Sequence, residues 1–185
     1  VDGVGVDSDG VNDGTINGLE FLDFVNLLGD ATAADTFTFN DTASVGLIDG
    51  NGGSNEIIGR ESASNAWVID TGNTSEINGS NFVNIQTLTG GDTVDDTFTY
   101  NIDPSGSSLA INGRGQALRD VIALGAGLTG VTFVAEGLTG IERLVNLGDV
   151  SNILQGSTSA NNWQITDVDG VGVDSDGVND GTING

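Results

Sequence analysis

The first 18 residues of the chain, VDGVGVDSDGVNDGTING, occur again without change as residues 168–185. An identity of this length at an offset of 167 residues is typical of a tandem repeat, so the sequence predicts one full period and the start of the next. Residues 1–18 then begin one repeat, residues 19–167 complete the period, and residues 168–185 begin the following repeat. Stacked repeats favour a structural or adhesive role over catalysis.

The charge of the chain excludes several classes of function. Of 185 residues, 27 are acidic and 4 are basic, which gives a formal net charge of −23. Nucleic acids and anionic membranes are bound through Lys and Arg, so we expect neither nucleic-acid binding nor direct membrane insertion. Because the chain has no His and no Cys, it lacks the usual catalytic triads and zinc ligands. The remaining chemistry is that of carboxylates, either as ligands of a hard cation or as an acid–base pair.

A second level of repetition lies inside the period. The tripeptide Ile-Asn-Gly occurs at residues 16–18, 77–79, 111–113 and 183–185. Two related segments contain the tryptophans, NAWVID at 65–70 and NNWQIT at 161–166, and two others are the aromatic segments DTFTF at 35–39 and DTFTY at 96–100. Short segments rich in β-branched and aromatic residues, each ended by Gly, Asn or Asp, predict an all-β fold with many tight turns.

Two architectures fit this pattern. One is a parallel β-solenoid with short coils, which repeated Ile-Asn-Gly corners favour; the alternative is a set of tandem antiparallel β-sandwiches. The block GLEFLDFVNLLGD at 18–30 has apolar residues at helical spacing, but the corresponding block GSNFVNIQTLTGG at 79–91 is a poor helix. We therefore expect strand and turn in both blocks, with a short helix at 19–28 as the open alternative.

An acidic insertion provides the candidate site. From Trp67 to Ile77 is ten residues, whereas from Trp163 to Ile183 is twenty, and the extra residues belong to the segment DVDGVGVDSDGVNDG. Clustered carboxylates separated by glycines are suited to calcium, which takes six to eight oxygen ligands from a flexible loop. The alternative is a solvated acidic loop without a ligand. The candidate calcium ligands are Asp7, Asp9, Asp13, Asp167, Asp169, Asp174, Asp176 and Asp180.

The same segment resembles two calcium-binding families. DSDGVNDG resembles the loops of thrombospondin type 3 repeats, and Asp13-Gly14-Thr15-Ile16 followed by Glu20 resembles the second half of an EF-hand or dockerin loop. Val11 stands where the third EF-hand ligand belongs. Residues 90–98, GGDTVDDTF, resemble a degraded copy of the nonapeptide of RTX proteins, and we expect them to preserve turn geometry rather than a metal site.

The wider pattern W-x-I-x…I-N-G-x-x-F-x-x-I-x-x-L-x-G-G…D-D-T-F-T resembles the tandem repeats of very large bacterial surface exoproteins, the hemagglutinin-like or RTX-adhesin-like group. The resemblance implies a secreted, right-handed parallel β-helix that serves as an adhesin stalk at the bacterial cell surface. Its expected partners are neighbouring repeats of the same chain and surface glycans.

We interpret the aromatic residues as core and not as a ligand platform. Trp67 and Trp163 hold equivalent positions, which favours packing over sugar stacking. A carbohydrate-binding or carbohydrate-active β-helix is the alternative function, although no carboxylate pair is marked out by its spacing, and we do not expect an enzyme. The phenylalanines expected to form core ladders are Phe21, Phe37, Phe82, Phe98 and Phe133.

Overall fold

The computed structural model of the protein describes residues 12, 14–40, 42–71, 74–115, 117–165 and 181–183. These residues form short strands and almost no helix, which confirms the predicted all-β class. No helix in this part of the chain is long and apolar enough to cross a membrane. The strands are β1 (Gly14–Ile16), β2 (Leu19–Phe21), β3 (Asn26–Leu28), β4 (Thr36–Thr38), β5 (Leu47–Asp49), β6 (Glu56–Ile58), β7 (Ala66–Ile69), β8 (Ser75–Ile77), β9 (Ser80–Val83), β10 (Thr87–Thr89), β11 (Thr97–Tyr100), β12 (Ala110–Asn112), β13 (Val121–Leu124), β14 (Thr132–Val134), β15 (Leu138–Thr139), β16 (Arg143–Asn146), β17 (Ile153–Gln155), β18 (Trp163–Ile165) and β19 (Gly181–Ile183).

Most strands pair in parallel. One sheet has eight strands in the order β16-β13-β11-β7-β8-β9-β5-β3, and a second has five in the order β15-β12-β10-β6-β4. Within the eight-stranded sheet only β8 runs against its neighbours, pairing antiparallel with both β7 and β9. Three two-stranded sheets complete the set, namely β1-β2, β14-β17 and β18-β19. Mostly parallel sheets favour the first of the two predicted architectures, because sandwiches of antiparallel strands would pair the other way.

The core is built from apolar side chains that hold the same position in neighbouring parallel strands and therefore lie next to one another. In the five-stranded sheet Phe37 aligns with Ile57, which aligns in turn with Leu88. In the eight-stranded sheet Trp67 aligns with Phe98, and Phe98 with Ile122. Except for the half-buried Phe37, these side chains are at most 1% exposed. Each strand is only two to four residues long, so one or two inward side chains per strand build the ladder.

The prediction that the phenylalanines belong to the core is confirmed for three of the five. Phe82, Phe98 and Phe133 are buried, while Phe21 and Phe37 are half-buried. Trp67 packs between two of these rings, stacked on Phe98 at 5.4 Å between ring centroids and edge-on to Phe82 at 6.3 Å. Packing is therefore the role of Trp67, as predicted; Trp163, by contrast, is 48% exposed.

The interpretation of Ile-Asn-Gly as a solenoid corner is wrong at two of its positions. Asn17-Gly18 joins β1 to β2, and Asn78-Gly79 joins β8 to β9, both as two-residue antiparallel hairpins. All four residues have positive φ, between 49° and 87°, as a type I′ turn requires. Asn-Gly is the strongest local signal for such a hairpin, and it outweighs the solenoid interpretation. At residues 111–113 the same tripeptide does end a parallel strand, β12.

The block at 18–30 contains strands and no helix. Leu19–Phe21 and Asn26–Leu28 are β2 and β3, and Asp23 between them has a φ of 62°, which breaks any helical run. The equivalent block at 79–91 forms β9 and β10 in the same way. The expectation of strand and turn in both blocks is confirmed.

Candidate functional site

The structure describes the base of the acidic insertion. All eight candidate calcium ligands, Asp7, Asp9, Asp13, Asp167, Asp169, Asp174, Asp176 and Asp180, lie outside the described residues. Strands β18 and β19 enter and leave the insertion, and they pair antiparallel, with Ile165 opposite Gly181. The two ends of the acidic segment therefore lie side by side in one hairpin.

A shorter connection occupies the same place in the first tryptophan unit. Strands β7 and β8 pair with Trp67 opposite Ile77, and β18 and β19 pair with Trp163 opposite Ile183. The β7–β8 connection is closed by Ser75, whose hydroxyl accepts a bond from Asp70 N–H at 3.0 Å and donates to the Asp70 carbonyl at 2.9 Å. The strands that flank the acidic segment thus pair in the same register as β7 and β8, although ten more residues separate Trp163 from Ile183 than separate Trp67 from Ile77.

Glu20, the twelfth-position residue of the EF-hand resemblance, lies in β2 opposite Thr15. Residues 19–28 contain strands instead of the helix that follows an EF-hand loop. The EF-hand and dockerin resemblance therefore gains no support from the geometry around Glu20. Of the residues 90–98, the first seven connect β10 to β11, and the last two begin β11. In this connection Gly91 N–H donates to Asp96 Oδ2 at 2.8 Å.

A second polar feature, which sequence reasoning missed, lies just before the parallel strands. Each member immediately precedes a strand, and the backbone N–H of every member but the last donates to the side-chain oxygen of the next member. We call the set formed by Asn65, Asp96, Asp120 and Glu142 the corner ladder. Asn65 N–H donates to Asp96 Oδ1 at 2.7 Å, Asp96 N–H to Asp120 Oδ1 at 2.7 Å, and Asp120 N–H to Glu142 Oε2 at 2.9 Å.

A shorter ladder of the same kind runs along the five-stranded sheet. Asp35 N–H donates to Asn55 Oδ1 at 2.9 Å, and Asn55 N–H donates to Gln86 Oε1 at 2.7 Å. Asn55 also donates from Nδ2 to the carbonyl of Gly50 at 2.7 Å. These bonds satisfy backbone N–H groups of residues that directly precede a strand, so the polar residues link neighbouring parallel strands.

Burial sets the electrostatics of the corner ladder. Desolvation raises the pKa of Asp96, against hydrogen bonds from Asn65 and Gly91 that lower it. Desolvation also raises the pKa of Asp120 to about 6, helped by the negative charges of Asp96, Glu142 and Asp95 and opposed by the hydrogen bond from Asp96 N–H. Asp120 is fully buried, and its Oδ2 has no hydrogen-bond partner among the described residues.

The chemistry of the corner ladder is structural. Its bonded carboxylate oxygens accept bonds from backbone N–H groups of the next coil. Among the described residues, no group of three acidic side chains is arranged to hold a metal ion. The signal that could have revealed the ladder is Asp or Asn two residues before an inward apolar side chain, as in Asp96-Thr97-Phe98 and Asp120-Val121-Ile122.

Two further features bear on carbohydrate binding. A shallow pocket is lined by Tyr100, Pro104, Phe133 and Leu138, with Glu136 as the single carboxylate in its lining. Glycosidases require a pair of carboxylates, which this lining does not supply. The Thr-x-Thr segments of β4 and β11 lie in different sheets and form no common flat surface.

No protein-family model matches the chain, and no curated protein or solved structure is significantly similar to it.

Proposed function

We propose that this chain is a structural and adhesive repeat module of a large secreted protein of the bacterial cell surface, with a right-handed parallel β-helix that acts as an extended stalk. The observation that supports it most is the alignment of inward side chains across parallel strands, as in Phe37, Ile57 and Leu88. Such a stack lengthens along one axis as coils are added, because each new strand pairs with the edge of the one before it.

The distribution of polar groups supports a repeated, passive role. Corner-ladder residues accept bonds from the backbone of the neighbouring coil, so their polar atoms stabilise the stack instead of facing a substrate. The net charge of −23 makes stalks repel one another and stay soluble at high local density. Neighbouring repeats are the primary partner of each module, and surface glycans are a further partner of the whole stalk.

Calcium is the proposed cofactor, held by the aspartates of the acidic insertion. Ile165 and Gly181, on either side of this segment, pair with each other, and its carboxylates lie close together along the chain. Five aspartates within fourteen residues repel each other, and a divalent cation relieves that repulsion. Bound calcium would stiffen the loop once in every period.

The stalk is tested by the length of arrays with one, two and three periods, measured by small-angle X-ray scattering. We expect the maximum dimension to increase by a constant amount per added period while the cross-sectional radius stays unchanged. A cross-section that widens with each period would overturn the proposal, since it would mean that the repeats cluster side by side.

Calcium is tested separately, by titration calorimetry and by melting curves with and without chelator. We expect heat of binding and a higher melting temperature with calcium in the natural chain, and a loss of both when Asp174 and Asp176 in one copy and Asp7 and Asp9 in the other become Asn. The control replaces the exposed Asp92 and Glu136 by Asn and Gln, and it should bind like the natural chain. If the natural chain gives no heat of binding, the calcium proposal is refuted and the insertion is a solvated loop without a ligand.

A further inference from the structure

The two ends of the chain contain overlapping parts of one three-stranded unit. In the middle of the molecule, β7, β8 and β9 form an antiparallel meander, with Trp67 opposite Ile77 and Ile77 opposite Ser80. The hairpin β18–β19 repeats the first pairing, with Trp163 opposite Ile183. The hairpin β1–β2 repeats the second, with Ile16 opposite Leu19. Because β1 and β19 both have the sequence Gly-Thr-Ile, from the two identical 18-residue segments, they are the same strand of the repeat.

The central meander shows how such a unit is inserted between parallel coils. The strand order around it is β5-β9-β8-β7-β11, and both outer pairings, β5 with β9 and β7 with β11, are parallel. At the β7–β11 pairing Trp67 stacks on Phe98 with an angle of 13° between the rings. A meander of this type therefore needs a parallel partner strand on each side.

Equivalent residues differ sharply in burial between the centre and the ends. Ile77 is fully buried, whereas Ile16 at the same position of the same turn is 59% exposed. Trp67 is 1% exposed, whereas Trp163 is 48% exposed. Phe98 is enclosed by neighbouring strands on both sides, whereas Phe37, its counterpart in the segment DTFTF, lies on β4 at the edge of the five-stranded sheet. Within the part of the chain that the structure describes, these apolar side chains lack the neighbours that their central counterparts have.

The two main sheets differ by three strands, which is the number of strands in one meander. One sheet has eight strands and the other has five, and the five-stranded sheet ends in β15 on one side and β4 on the other. If β18, β19 and the next copy of β2 were inserted between β15 and the next copy of β4, the second sheet would also have eight strands per period. Two faces of one stack must advance by the same number of steps, so this insertion makes their spacing agree.

We infer that consecutive repeats join through this meander: β18 and β19 of one repeat pair with β2 of the following repeat, and β18 pairs in parallel with the following β4, which sets Trp163 against the following Phe37. The inference rests on the proposed tandem stacking and specifies its junction. The partner is a second copy of this chain, recognised by sheet edges and aromatic side chains that already match each other in the centre of the molecule.

The chain length between the matched residues agrees with this register. Trp67 precedes Phe98 by 31 residues, and at a period of 167 residues Trp163 would precede the next Phe37 by 41. The difference of ten residues equals the length of the acidic insertion, which lies within the β18–β19 connection and leaves the strands in place. Eight steps of about 4.8 Å then give an axial length of about 38 Å per period.

The test uses a chain of two successive periods with one cysteine in each, because the natural sequence has none. In the central pairing Ala66 lies opposite Thr97, and the equivalent junction pair is Asn162 of the first period and Thr36 of the second. We expect A66C with T97C, inside one period, and N162C with T36C, across the junction, to form disulfides to a similar extent under mild oxidation. Adjacent strands place such Cα atoms within the distance that a disulfide spans.

An out-of-register pair, N162C with T38C, is the matched control, and we expect at least a tenfold lower yield of disulfide. Fluorescence quenching by acrylamide is the second measurement. We expect Trp163 of the first period to be several-fold better protected than Trp163 of the second, with each signal identified by the variant Trp163→Phe. Equal quenching of the two tryptophans, or equal disulfide yields in and out of register, would overturn the junction.

Failure of the junction and failure of the stalk give different results. If scattering shows length growing with each period while Trp163 stays exposed, the repeats form an extended array with another joint. If the length does not grow with the number of periods, the stalk itself is refuted. If the junction forms and the length of the array grows by a constant amount near 38 Å per period, the result agrees with both the stalk and the junction.

Discussion

The backbone N–H of Asp96 donates a hydrogen bond of 2.7 Å to Oδ1 of Asp120, although 24 residues separate the two. Both side chains are fully buried, so the link joins two acidic residues inside the stack. Without the Asp120 carboxylate the Asp96 N–H would lose its acceptor, yet the second oxygen of Asp120 has no partner among the described residues. The bond links the starts of the parallel strands β11 and β13 and makes the fold sensitive to pH.

The free energy of unfolding should decrease as pH rises from about 4 to about 7. The pKa of Asp120 is raised to about 6 by burial, above the usual value of 3.8 for Asp, so the folded protein binds more protons than the unfolded chain in this range. The resulting stability is fully present below pH 3.8 and is lost as pH rises through about 6. Lowered pKa values at Asp30, Asp103 and Asp149 act in the opposite direction but only below about pH 4. Urea unfolding at a series of pH values, in constant high salt, measures the slope.

Replacement of Asp120 by Asn should stabilise the protein at pH 7, by about 1–3 kcal/mol, because a buried carboxylate oxygen without a partner is removed. Asn keeps the acceptor for Asp96, and its amide can donate as Asn65 does from Nδ2 to the Arg60 carbonyl at 3.0 Å. The exposed Asp92→Asn serves as the control for charge alone, since it removes one negative charge outside the ladder. Equal effects of D92N and D120N on the melting temperature would contradict the role given to burial.

Replacement of Gly79 by Ala should cost about 1 kcal/mol of stability. Its φ of 87° lies in the left-handed region, and a Cβ added there meets no atom within 4 Å, so only the backbone opposes the change. Gly127 is equally open but has no positive φ, and Gly127→Ala should leave the stability within about 0.5 kcal/mol. The two variants are compared by chemical denaturation, and a similar cost at both sites would count against the type I′ turn.

The two tryptophans should respond differently to truncation in this single-period chain. Trp67→Ala removes a buried ring from between Phe82 and Phe98 and should cost about 3–5 kcal/mol. Trp163→Ala acts on a side chain that is 48% exposed and should cost less than about 1 kcal/mol. Thermal unfolding of both variants gives the comparison, and a large loss from W163A in the isolated period would mean that Trp163 already has its packing partner.

Local pattern predicted the type of secondary structure well. Alternation in the segments around Trp67 and Phe98 identified strands with the correct inward side chains, and the aligned blocks at 18–30 and 79–91 identified strand over helix. Such patterns are informative because a strand with one buried face alternates apolar and polar residues, and this alternation is visible in the sequence. The sequence pattern did not predict the corner ladder, because Asp and Asn are common in turns and a single one before a strand is not specific to such a ladder.

The sequence by itself determined that the chain is a β protein, because side-chain alternation within short segments is a property of residues near each other in the chain. Only the tertiary structure decided that Ile-Asn-Gly forms hairpins at two places and ends a parallel strand at a third. The same tripeptide has two outcomes because its strand pairs either with the strand that follows directly in the chain, as β1 does with β2, or with a strand distant in the sequence, as β12 does with β10. Pairing between distant strands depends on which sheet edge is free in the folded molecule, and the tripeptide alone does not specify that edge.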